Sequence, residues 1–137
     1  MGMTMLLLRG RRNSAVPTRT VLAATAGCLV GALAGLGAFR RVVVEGDSMR
    51  PTLVPGDRVV AVRCRRPRPG DLVVLADPRL AARTLVKRVA AVAPGAVSVV
   101  GDAPDASTDS RTFGPVPSVW GRVVYRYGPR ERAGRLR

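Results

Sequence analysis

Thr84-Leu85-Val86-Lys87-Arg88-Val89-Ala90-Ala91-Val92 is the stretch on which the fold turns. It is apolar, rich in β-branched residues and without a helical period, so it reads as an extended strand. In a strand, successive side chains alternate between faces. Leu85, Lys87 and Val89 then share one face, and Val86, Arg88 and Ala90 the other. Lys87 is thereby set between two apolar neighbours while Arg88 points away. The same grammar repeats on either side. Arg41 to Glu45 is the first candidate strand, and Pro55-Gly56-Asp57 turns the chain into Arg58 to Val62. Pro67-Arg68-Pro69-Gly70-Asp71 leads into Leu72 to Leu75, and Asp77-Pro78 ends that strand. Pro94-Gly95 opens Val97 to Val100, and a loop over 101–119 precedes Trp120 to Tyr127. Asp57 and Asp71 read as turn residues. Leu80 to Arg83 is the one place beyond residue 40 that reads as a helical turn. The fold class is therefore mainly β, and about 90 residues can bury a modest core.

Lys87 is the only lysine among 22 arginines, and the chain has no histidine. An arginine stays protonated in any protein, whereas a desolvated lysine can lose its proton and act as a base. Compositional drift is the plain alternative for a single residual lysine. Upstream, the run Val42-Val43-Val44-Glu45-Gly46-Asp47-Ser48 brings a serine directly after a Gly-Asp turn. A serine hydroxyl is a weak nucleophile until a neighbour takes its proton. Without histidine, Ser-His-Asp and Cys-His machinery are excluded, and a serine-lysine pair is a known variant of that logic. Histidine-free and with two cysteines, the chain offers no expected metal or cofactor site.

Three boxes carry a resemblance. Ser48-Met49-Arg50-Pro51-Thr52-Leu53 resembles the nucleophile box of the type I signal peptidase family of serine endopeptidases. Val86-Lys87-Arg88-Val89 resembles that family's lysine box, and Gly101-Asp102 with Ser107-Thr108-Asp109-Ser110-Arg111 its last box. The resemblance implies Ser48 as nucleophile and Lys87 as general base. It further implies that Ser107 orients the lysine amine and that Asp109 and Arg111 form an ion pair supporting the site. The family usually has Asn where Ala103 stands, and some members carry a hydroxyl side chain where Gly46 stands. Oxyanion stabilisation would then fall to backbone amides, that of Ser48 included. Met49, Pro51 and Leu53 are candidates to line a substrate cleft or to dip toward a bilayer. The loop over 101–116, taken bare, also reads as a solvated turn or a weak cation loop without EF-hand spacing.

Val21 to Phe39 reads VLAATAGCLVGALAGLGAF, 19 residues without a charge. At 1.5 Å per residue it would span roughly 28 Å as a helix, near the ~30 Å hydrocarbon core of a bilayer. We read 1–20 as a basic tail, 21–39 as a transmembrane anchor, 40–128 as a catalytic β domain and 129–137 as a basic C-terminal tail. A cleaved secretory signal is the competing reading of the apolar run. Gly27, Gly31 and Gly35 stand at four-residue spacing, as in close-packed membrane helices or by composition alone. The apolar run implies a single-pass protein of the cell membrane. Flanking arginines are balanced, so its orientation, with the catalytic domain outside the cytoplasm, is what the resemblance alone implies.

The net charge is +14, of which residues 40–137 carry +10. Its basic runs lack interleaved aromatics, so no nucleic-acid partner is expected, and anionic lipid headgroups are the better match. Cys28 and Cys64 are not expected to pair. The expected activity is removal of leader peptides from exported preproteins. Resemblance adds small residues at the first and third positions before the cut, and an extended substrate bound as an added strand. One alternative keeps the chemistry but changes the substrate, since short family members include a maturation protease for nickel-type superoxide dismutase. The other is a catalytically inactive, basic membrane-associated β-domain protein.

Overall fold

The computed structural model describes residues 37–136. The expected basic tail, Cys28 and nearly all of the expected anchor lie outside these residues. Phe39, the last residue of that anchor, instead opens the first strand. Among the described residues, no helix is long and apolar enough to cross a membrane.

Seven antiparallel strands form one sheet: β1 (Phe39–Val43), β2 (Arg58–Arg63), β3 (Leu72–Asp77), β4 (Leu80–Ala93), β5 (Ala96–Val100), β6 (Gly121–Gly128) and β7 (Gly134–Arg135). Their spatial order is β1-β2-β6-β3-β4-β5, with β7 on the free end of β6. The expected strands are all present, each within a few residues of its expected ends. Leu80 to Arg83, expected as a helical turn, belongs to β4. The Asp77-Pro78 break is a tight turn, after which Leu80 pairs back with Asp77. Pairing across a hairpin outweighs the weak helical propensity of so short a segment. The one α-helix among the described residues is the single turn α1 (Ser110–Phe113).

The alternation of β4 is visible in its burial. Leu85, Lys87 and Val89 are buried, whereas Val86 and Arg88 are half-buried. β3 runs through the centre of the sheet between β6 and β4, and both of its faces are covered. Leu72 and Val74 pack with Val44, Met49, Leu53, Val59, Ala61 and Val123. Val73 and Leu75 pack with Leu85, Val89, Val97, Val99 and Val116. Each fully buried Val or Leu contributes roughly 1.5–3 kcal/mol against the entropy of ordering the chain.

The segment expected as a C-terminal tail folds onto this sheet. A 3-10 turn at Arg130–Arg132 leads to β7, which pairs with Tyr125 and Arg126 of β6. Leu136 packs against the first of the two apolar clusters.

Gly121 sits where the backbone of β2 leaves no room for a side chain. A Cβ there would lie 2.3 Å from the Val62 carbonyl oxygen on β2. Gly121→Ala should therefore destabilise the domain by about 1–3 kcal/mol, the usual cost of overpacking. Gly134→Ala, where a Cβ meets open space, should stay within about 0.5 kcal/mol. Urea unfolding midpoints of the two variants check the contrast.

Candidate functional site

Ser48 sits in a loop that leaves β1 and returns to β2. Two backbone bonds shape it: Arg50 N–H donates to Asp47 O at 3.0 Å, and Leu53 N–H to Met49 O at 2.8 Å. Met49 and Leu53 are buried in the first apolar cluster and anchor this loop from below, leaving Ser48 half-buried above them. The sequence expectation for these side chains is corrected accordingly. Leu53 is wholly buried core and Pro51 is exposed, and neither lines the groove described below. Met49 contributes to the floor of that groove while itself buried.

Lys87 projects from the buried face of β4 and is only 2% exposed. Its Nζ donates to Ser107 Oγ at 3.0 Å, and the Ser107 hydroxyl donates to Asp109 Oδ2 at 2.6 Å. Asp109 is fully buried and caps α1. Its carboxylate also accepts from the Gly101 N–H at 2.9 Å and from Arg111 Nε and Nη2 at 2.9 and 2.7 Å. The Arg111 guanidinium, followed by these other donors, holds the Asp109 carboxyl far below the usual carboxylate range against the opposing effect of burial. Desolvation pushes the Lys87 amine below its ordinary value of 10.5. Asp109 opposes that shift, whereas Arg83, Arg111 and Arg79 reinforce it.

One further carboxylate joins all three segments. Asp102 accepts from Arg88 Nε and Nη2 at 2.8 and 2.7 Å, and from Thr52 Oγ1 at 2.6 Å. Arg88 is the strand neighbour of Lys87, and Thr52 lies four residues beyond Ser48. The loop after β5 also touches the serine directly, because the Ala103 N–H donates to the Ser48 carbonyl at 3.0 Å. That bond is a backbone bond, so it does not depend on which side chain stands at Ala103. Gly101 is wedged between the two halves of the site. A Cβ there would lie 2.2 Å from Ser107 Oγ and 2.5 Å from the Ser48 carbonyl oxygen.

Ser48 and Lys87 open into one groove of about 460 Å³. Residues 42–49 form one wall, 82–87 of β4 the other, with Ala106 and Thr108 closing it. β1 pairs only with β2, and β4 up to Lys87 only with β3. Among the described residues, the groove therefore runs between two strand edges that no strand covers. Glu45 and Asp47 stand on one wall, Arg79 and Arg83 on the other.

Residues 18–99 match the family described as Signal peptidase, peptidase S26. The chain belongs to that family. The matched span includes Ser48 and Lys87 and ends before the loop that carries Ser107. Curated relatives agree. The mitochondrial ATP-independent inner membrane protease subunit 1b of Arabidopsis thaliana is 32% identical, over 66% of this chain and 71% of the relative. Subunit 1a of the same plant is 34% identical, over 69% of this chain and 73% of the relative. The mitochondrial inner membrane protease subunit 1 of Xenopus tropicalis is 41% identical, over 70% of this chain and about half (53%) of the relative.

The structure brings Ser48, Lys87, Ser107, Asp109 and Arg111 to one place and leaves Pro51 and Leu53 away from the groove. The sequence reading missed Asp102 and Arg88 as the tie between the boxes. The signal was present in the adjacency of Arg88 to Lys87 and of Asp102 to Gly101, but pairing across 14 positions is not a local pattern. Cys64 is a half-exposed free thiol away from these residues.

The buried amine carries a stability signature. With its folded pKa lowered below 10.5, the folded protein binds fewer protons than the unfolded chain between the two values. Stability should therefore rise with pH through that window. Lys87→Met should remove this rise, which urea midpoints of both proteins, measured from neutral pH up to about 10, will check.

Proposed function

We propose that this family member is a serine endopeptidase in which Ser48 attacks the scissile carbonyl and Lys87 takes and returns the proton. The observation that carries the reading is the dry Lys87 amine, bonded to Ser107 and opening into the same groove as Ser48. A lysine kept out of water can be neutral near physiological pH, and a neutral amine holds the lone pair a general base needs. Because its partner is a hydroxyl rather than a carboxylate, no adjacent anion fixes its proton. The Ser107 hydroxyl, itself committed to Asp109, orients the amine without neutralising it. With glycine at position 46, oxyanion stabilisation falls to backbone N–H groups, that of Ser48 first.

The substrate is the leader segment of a preprotein, bound extended between the two uncovered edges of β1 and β4. Small side chains at the first and third positions before the cut suit a groove walled by β-branched residues. The apolar run from Val21, ending before β1, attaches the domain to the membrane, where its substrates arrive, and the basic surface faces anionic lipid. The relatives' names, all inner membrane proteases, support processing at a membrane.

The test uses the full chain in detergent with a leader-peptide precursor. Ser48→Ala and Lys87→Arg should each lower the cleavage rate by about 10²–10⁴-fold or more while the fold is retained. Lys87→Arg is the sharper variant, because it keeps a long cationic side chain but one that cannot give up its proton to act as a base. Wild-type activity should rise with pH as the amine is deprotonated, levelling off below 10.5. A Lys87→Arg protein that cleaves at the normal rate would falsify the dyad.

A further inference from the structure

The geometry points to Arg132, in the segment after the last long strand, as a positioning residue for the loop that presents Ser48. The inference deepens the reading above and rests on Ser48 as the nucleophile.

The serine loop is closed at its base by Asp57. Val44 N–H donates to the Asp57 carbonyl at 2.8 Å, and Gly56 N–H donates to the Val44 carbonyl at 2.9 Å. The Asp57 side chain is wholly buried. It accepts from the Val54 N–H at 3.0 Å, from Arg126 Nη1 at 3.2 Å, and from Arg132 Nε and Nη2 at 3.0 and 3.1 Å. Burial alone would raise its pKa, yet these donors hold it below the ordinary value.

The two arginines do more than neutralise Asp57. Arg126 Nη1 also donates to the Thr52 carbonyl at 3.0 Å, and Arg132 Nη2 reaches the same oxygen at 3.4 Å. Arg126 Nε in turn donates to the Arg132 carbonyl, which seats the 3-10 turn against β6. Thr52 is thus gripped twice. Its carbonyl is held by Arg126 of β6 and Arg132 of the C-terminal segment, and its hydroxyl by Asp102. Three residues separate Thr52 from Ser48, and Leu53 N–H bonds back to Met49 O, so a shift at Thr52 passes to the nucleophile. Arg132 and Lys87 share no hydrogen-bond partner. Loss of Arg132 should therefore misplace the hydroxyl while leaving the base's titration alone.

The experiment again uses the full chain in detergent with a leader-peptide precursor. Arg132→Ala should lower kcat by about 10- to 100-fold, the scale of an ångström-sized misplacement of a reacting group. KM should stay within about twofold, and the pH at which kcat rises should match that of the wild type. Arg132→Lys should restore part of the loss, since a point charge can meet Asp57 or the Thr52 carbonyl but not fork between them. Leu136→Ala is the control. Leu136 packs on the core from the same segment, so its truncation should reduce stability and leave kcat unchanged below the melting temperature.

Arg132→Ala at wild-type kcat overturns the proposal, as does an equal loss of kcat in Leu136→Ala. If Arg132→Ala does not fold, Arg132→Lys decides alone, with unchanged kcat overturning it. Ser48→Ala run alongside separates the two levels. An inactive Ser48→Ala with a fully active Arg132→Ala sinks only the positioning role, whereas an active Ser48→Ala sinks the nucleophile assignment and this inference with it.

Discussion

A lysine amine held at 2% exposure is the constraint around which the rest of the site is arranged. Burial of a charged ammonium without a carboxylate partner is expensive, so the neutral form gains. The structure withholds a carboxylate from direct contact with Lys87 and interposes the Ser107 hydroxyl. Asp109 still acts on the amine through space and opposes the downward shift. Arg83 and Arg79, on the same wall of the groove as Lys87, and Arg111 push the other way. The amine's position on the proton scale is thus a balance between one buried carboxylate and several cations, with desolvation the largest single influence.

The use of arginine elsewhere completes this pattern. Asp57, Asp77, Asp102 and Asp109 are each bonded to at least one guanidinium. A guanidinium never gives up its proton and forks across two carboxylate oxygens. It suits permanent pairing and cannot serve as a base. Read this way, the near-total replacement of lysine by arginine is chemically sorted. The pairs with buried aspartates take the residue that cannot titrate, and the buried position on β4 facing the groove takes the one that can. Drift in composition accounts for the number of arginines but not for the burial of the one lysine.

What was legible in the chain was whatever is local. Period-two patterning placed Lys87 on the buried face of β4 because alternation needs no knowledge of partners. Turn residues located the hairpins for the same reason. Leu80 to Arg83 was misread because Leu80 pairs with Asp77 across the turn and Ala81 to Arg83 bulge between that pair and Ala76–Thr84, an arrangement their own side chains do not signal. Leu53 was misassigned because its place in a motif says nothing about which way a loop residue points, and burial with Val44 and Val59 decided that. Asp57 was read only as a turn residue, and residues 129–137 only as a tail. Their meeting through Arg132 spans 75 positions, a separation at which no sequence spacing is informative.

The short β4–β5 connection shows how so small a domain can hold this geometry. Ala93 pairs with Ala96 across a two-residue turn, so β5 returns at once alongside β4 and delivers Gly101 beside Lys87. The loop that follows is pinned at its far end by Val97 and Val116, which exchange two backbone hydrogen bonds at 2.7 and 2.9 Å. Between those points, Asp102 binds the strand that carries the lysine and the loop that carries the serine, while Asp109 binds Ser107 and the Gly101 backbone. Each carboxylate therefore contributes to the fold and to the site through the same bonds. An apolar core fills space without specifying which polar groups face each other, since its contacts are non-directional. Directional bonds from buried carboxylates supply that information, and arginines make their burial tolerable. The relative placement of Ser48 and Lys87 consequently depends less on the number of residues in the domain than on a few aspartates remaining ionised inside it.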